Sequence, residues 1–138
     1  MAENRKIRGA TPTEYNGRRY RSKMEATFAR LLDMAGLDYA YEAEKWELLP
    51  AQEYRGEKVR PVTYTPDFIV GGTVVEVKGW RNDVFPLKRK LIIKYINERR
   101  PGTVFIEARS ARDMADAVDL ARKEKMNKNQ KDHGQRPC

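Results

Sequence analysis

Apolar positions first repeat at helical spacing after Ser22, where Met24, Phe28, Leu31, Leu32 and Ala35 share one side. That pattern predicts a helix capped by Ser22 and ended by Gly36 in a left-handed turn. Strand character follows over 39–41, 46–49, 62–70 and 73–77, with 50–60 as a polar excursion. Pro86 suits the first turn of a second helix, with Leu87, Leu91, Ile92, Tyr95 and Ile96 facing inward. Pro101-Gly102 stops it, residues 103–108 read as a short buried strand, and Ser110 with Asp113 opens a last helix. The principal elements run α-β-β-β-α-β-α: a mixed α/β domain whose third and fourth strands are joined by a right-handed helical crossover.

Composition narrows this to one domain. The chain has 138 residues, 40% of them hydrophobic and 35% charged. We expect a basic flexible arm over 1–13, the folded domain over 14–126 and a mobile tail over 127–138. One Cys, at the last position, and one His, His133 in the tail, exclude a disulfide framework and a zinc cluster. No apolar run has the ~18–20 residues of a membrane span and the start lacks a signal-like stretch, so an intracellular, cytoplasmic protein is expected. The formal charge of +8 is uneven: +5 over 1–23, −5 over 24–54 and +6 over 55–100. Basic segments around an acidic one suit a polyanion, most readily nucleic acid; the plainer reading is a solubilising surface.

The stretch TPDFIVGGTVVEVKGW, 65–80, carries the chemistry. If Gly71-Gly72 makes a two-residue hairpin turn at positive φ, Phe68 faces Val75 and Asp67 faces Glu76, with Lys78 on the same face. Opposed carboxylates repel unless a cation lies between them. Oxygen-only donors suit Mg²⁺, with Mn²⁺ as a substitute, and Lys78 can hold a phosphate oxygen or the attacking water. The simpler reading is that Lys78 pairs with two acids at a strand end. Glu25 is ambiguous too. Ser22-Lys23-Met24-Glu25 is a capping box, which by itself accounts for the glutamate; its other reading is a third carboxylate aimed at the site.

Three ordered motifs, Tyr20-Arg21-Ser22-x-x-Glu25, Tyr64-Thr65-Pro66-Asp67-Phe68 and Val75-Glu76-Val77-Lys78-Gly79, resemble phage endodeoxyribonucleases of the PD-(D/E)XK superfamily. The chain is similar to the endonuclease I type of Holliday junction resolvase, which acts in DNA recombination. It is also similar to a group of small phage nucleases with a Tyr-x-Gly turn before the first helix (Tyr15-Asn16-Gly17) and a Lys-Arg-Lys-Leu helix after the site (Lys88 to Leu91). The likeness spans about 14–108. It implies a restriction-endonuclease-like core, a mixed β-sheet flanked by helices. It also implies Glu25, Asp67 and Glu76 as metal ligands with the Val77 carbonyl, and Lys78 assisting catalysis. The endonuclease I type is an intertwined homodimer with a longer C-terminal part, whereas this chain ends soon after its last helix. A phage origin would place the protein in the host bacterial cytoplasm.

Arg18, Arg19 and Arg21, with Lys88, Arg89, Lys90 and Lys94, are candidate phosphate contacts, against the plainer reading of solvated faces. Trp80 is a stacking candidate, more often a packing residue. His133 has no partner in sequence that would make it a base. The resulting expectation is a Mg²⁺-dependent endonuclease in which water attacks a phosphodiester in line, on branched DNA. The alternatives are ordinary or nicked duplex as target, or a DNA-binding module that keeps the fold without catalysis.

Overall fold

Helix α1 (Lys23–Met34) begins where the sequence places it, with Ser22 extended and its Oγ accepting the Glu25 N–H at 3.1 Å. It ends in a pair of reverse bonds, Gly36 N–H to the Asp33 carbonyl and Leu37 N–H to that of Leu32, with Gly36 at φ 69°. The structure is a computed structural model that describes residues 11–77 and 85–134. Of the expected arm over 1–13, residues 1–10 lie outside the described residues, as do Lys78, Trp80 and 135–138, while Thr13 already belongs to a strand.

Among the described residues nine strands precede α2, four of them in two separate hairpins. β1 (Thr13–Tyr15) and β2 (Arg18–Tyr20) form a hairpin on Asn16-Gly17, both at positive φ. β5 (Gln52–Tyr54) and β6 (Glu57–Val59) form a second on Arg55-Gly56, where only a polar excursion was expected. The expected strand over 62–70 is two strands. β7 (Val62–Tyr64) pairs with β4 (Trp46–Leu49), and β8 (Phe68–Val70) joins the central sheet. Pro66 explains the break, since it has no N–H to give a ladder.

The central sheet runs β10-β9-β8-β3, with β3 at Ala40–Tyr41, β9 at Thr73–Val77 and β10 at Val104–Ala108. β9 and β10 are parallel; the other neighbours are antiparallel. α2 (Phe85–Arg99) lies between β9 and β10 in sequence, as a helical crossover requires. The hairpin register is the expected one, Phe68 with Val75 and Val70 with Thr73, although only Gly71 takes a positive φ.

Alternation along the strands divides the core. Phe68, Val70, Val75 and Val77 pack with α1 and with α3 (Ala111–Gly134) through Phe28, Leu32, Met114 and Val118. On the other face Val74 packs with Ile92 and Ile96 of α2 and with Trp46, Leu48 and Tyr64. Leu87 departs from expectation: it is 63% exposed, and Lys88 takes the inward place. Lys88, Ile92 and Ile96 are four residues apart and form one row, so the lysine stem lies along the apolar face with its ammonium 5.7 Å from the Tyr64 ring centre. α3 also runs on through residues 127–134, which were expected in the tail; the His133 side chain lies outside the described residues. No described helix is long and apolar enough to cross a membrane.

Candidate active site

Asp67 sits one residue before β8, where the ladder has already stopped. Its side chain takes over: Oδ2 accepts the Val77 N–H at 2.9 Å, while its carbonyl accepts the Glu42 N–H at 3.0 Å. By register Asp67 falls opposite Glu76 on the face that carries Val74. Burial raises the Asp67 pKa, and the nearby charges of Glu76 and then Glu25 raise it further, against the Val77 N–H, so that it is pushed up to about 9. A carboxyl there is neutral at pH 7 unless a cation joins it.

Glu25 comes to the same place from the start of α1. It is 7% exposed. Its Oε1 accepts the Arg21 N–H at 3.2 Å and also the Tyr41 hydroxyl. Burial raises its pKa, while those two donors and Arg21's charge pull it down and Glu42 pushes it up. The cap is therefore real but displaced, because the carboxylate returns to Arg21 rather than to Ser22. Asp113 does the same at α3, accepting the Arg109 N–H at 2.9 Å while its own N–H bonds Ser110 Oγ. The backbone contacts thus do not set Glu25 apart. Its burial, its phenol donor and its charge interaction with Asp67 do.

Glu76 Oε1 accepts the Tyr64 hydroxyl at 2.5 Å. That phenol is held well above its ordinary pKa, first by burial and then by the charges of Glu76, Asp67 and Glu107, so it stays a donor. Tyr41 is likewise raised, by burial and by Glu25. Tyr41 is set by packing, edge-on to Tyr20 at 4.6 Å and tilted against Phe68 at 5.1 Å. Tyr64 packs edge-on to Trp46 at 5.8 Å.

Some of the basic candidates, Arg18, Arg21, Lys88 and Arg89, touch residues that border this acidic centre. Arg18 lies over the Tyr41 ring at 5.9 Å and Arg21 pairs with Glu42 at 2.9 Å. Arg89 pairs with Glu107 at 2.9 Å and Lys94 with Glu98 at 2.8 Å, one turn along α2. Arg19 and Lys90 are exposed. Sequence reasoning missed Tyr41, Glu42, Tyr64 and Glu107. Glu107 had a signal, an acid inside the apolar run TVFIEA, and so did Tyr64, which opens the Asp67 motif. Glu42 had none: its φ of 47° is set by the end of β3.

The structure thus gathers Glu25, Asp67, Glu76 and Val77, while Lys78 lies outside the described residues. Val77 contributes its N–H to Asp67 rather than a free amide. Among the described residues no group of three or more His, Cys, Asp or Glu side chains converges as a ready metal cage. The donor set still fits one class of ion. Mg²⁺ keeps several waters and is ordinarily held by one or two carboxylates plus substrate phosphates, so it needs no such cage. Comparison of the chain with protein-family models, with curated proteins and with solved structures found no match.

Proposed function

We propose that this chain is a Mg²⁺-dependent DNA endonuclease with a restriction-endonuclease-like core. One observation carries the reading: Asp67, opposite Glu76 by the β8–β9 register and bonded to the Val77 N–H, lies where the charges of Glu76 and of Glu25 from α1 both raise its pKa. A protein gains nothing in stability from burying acidic groups together, so their juxtaposition here argues for a cationic ligand. The mixed sheet, with α2 between parallel β9 and β10 and helices on both faces, supports the core assignment.

Glu25, Asp67 and Glu76 would hold the ion, and the Val77 carbonyl lies at the same strand end. The ion would lower the pKa of water and neutralise charge on the phosphoryl oxygens. Tyr41 and Tyr64 each occupy one oxygen of a glutamate and fix its orientation. Lys78, two residues after Glu76 in the sequence, would bear on the attacking water or the phosphate. Arg18, Arg19, Arg21, Lys88, Arg89 and Lys90 supply phosphate contacts around the centre. A second reading, a DNA-binding module without catalysis, draws on the lack of a ready three-ligand group among the described residues.

Incubation with matched linear, nicked, flapped and four-way DNA in Mg²⁺ and in EDTA tests the proposal. Cleavage confined to Mg²⁺ is expected, and the preferred substrate separates junction resolution from duplex processing. Binding without cleavage of any of the four would leave the module.

A further inference from the structure

Glu107 stands beside Glu76 in the parallel ladder of β9 and β10, on the same face of the sheet. Neighbouring strands are ~4.8 Å apart, so Glu107 borders the acidic centre. It is not arranged as another metal ligand, because two guanidiniums already engage it. Arg89, from the second turn of α2, brings Nε to 2.9 Å from Oε1, and Arg109 brings Nη2 to 2.8 Å from Oε2. Oε1 is buried, and Arg89 meets it as an ion pair without the alignment of a hydrogen bond. The Arg109 backbone is itself pinned, its N–H donating to Asp113 at the start of α3.

The three side chains sum to one positive charge. Glu107 is 17% exposed, whereas Arg89 and Arg109 are 48% and 38% exposed, so the carboxylate is inside and the guanidiniums face outward. A guanidinium offers five donors in a rigid fork, and one edge turned to a carboxylate leaves the fork oriented for a second anion. The centre itself is acidic and repels phosphate. A net positive, pre-oriented pair on its border is what a neighbouring strand phosphate requires.

We propose that Arg89 and Arg109 form a phosphate clamp, positioned by Glu107, that holds a DNA backbone phosphate next to the scissile one. The proposal rests on the nuclease reading for its substrate class but not on cleavage. Its test is therefore the binding of a fluorescent duplex by the whole chain in EDTA across a KCl series. Arg89→Ala and Arg109→Ala should each flatten the log–log salt slope by about 0.9. Unchanged slopes in both would overturn the clamp while leaving the nuclease reading intact. No binding by the wild type would remove both.

Glu107→Gln separates positioning from bulk charge by sign. Deleting a negative charge near DNA should tighten binding on electrostatics alone. Loss of the anchor should instead weaken it several-fold, with melting curves confirming the fold. Tighter binding would overturn the positioning role. Should that variant not fold, Arg109→Lys keeps the charge and loses the fork. The clamp predicts an unchanged slope with weaker affinity, and wild-type affinity would refute it.

Discussion

Replacing Asp67 with Asn should change how stability depends on pH, and the structure fixes the sign. Folded Asp67 keeps its proton up to about pH 9, because it is buried beside Glu76 and Glu25. In the unfolded chain an aspartate loses its proton near ~4. Between those limits the folded state binds one more proton, so this group makes stability fall as pH rises, by ~1.4 kcal/mol per pH unit. From pH 6 to pH 8 the loss is ~2.7 kcal/mol, or roughly 6–12 °C in melting temperature for a chain of this size. An asparagine amide oxygen can still accept the Val77 N–H, but it has no proton to exchange. Urea melts of both proteins in EDTA at pH 6, 7 and 8 provide the assay. The wild-type line should be the steeper by about that amount, and Asp67→Asn should be the more stable at pH 8. Parallel lines, or a less stable variant at pH 8, would show that Asp67 is not held beside like charges.

The remaining expectations are briefer. Tyr41→Phe removes a donor from the buried Glu25 carboxylate and should cost ~1–3 kcal/mol at pH 8. Burial holds the Glu25 pKa above its ordinary value, so the cost should shrink as pH falls and the carboxylate gains its proton, and a loss that does not vary with pH would contradict a charged acceptor. Mn²⁺ at ten times its Kd should stabilise the wild type by ~1.4 kcal/mol, seen as roughly 3–6 °C in a thermal melt, and Asp67→Asn much less. Lys90→Ala should flatten the salt slope of DNA binding by about 0.9, and an unchanged slope would turn the outer face of α2 away from DNA.

The hairpin register was legible because Gly71-Gly72 allows a two-residue turn and the residues alternate cleanly around it. α1 was legible from its Ser22 cap and Gly36 stop, both local signals. Less legible was whatever depends on contacts far apart in sequence. Leu87 and Lys88 exchanged places because Ile92 and Ile96, buried on Trp46 and Val74, set the inward row. Asp67 left the ladder because Pro66 ends it, and its carboxylate, not its backbone, closes the gap. Tyr41 and Tyr64 could be read as strand residues, but not as donors to acids 16 and 12 residues away. The same holds for Glu107, whose neighbour Glu76 is brought by a parallel pairing that no local signal specifies.

The central claim is that the gathered carboxylates cut DNA through a bound divalent ion. Glu76→Ala tests it most directly, measured beside the wild type on one labelled DNA substrate in Mn²⁺, with binding checked in EDTA. The account predicts cleavage by the wild type, none by the variant, and DNA affinity that is retained because the basic rim carries it. Cleavage by Glu76→Ala at the wild-type rate would place the chemistry elsewhere.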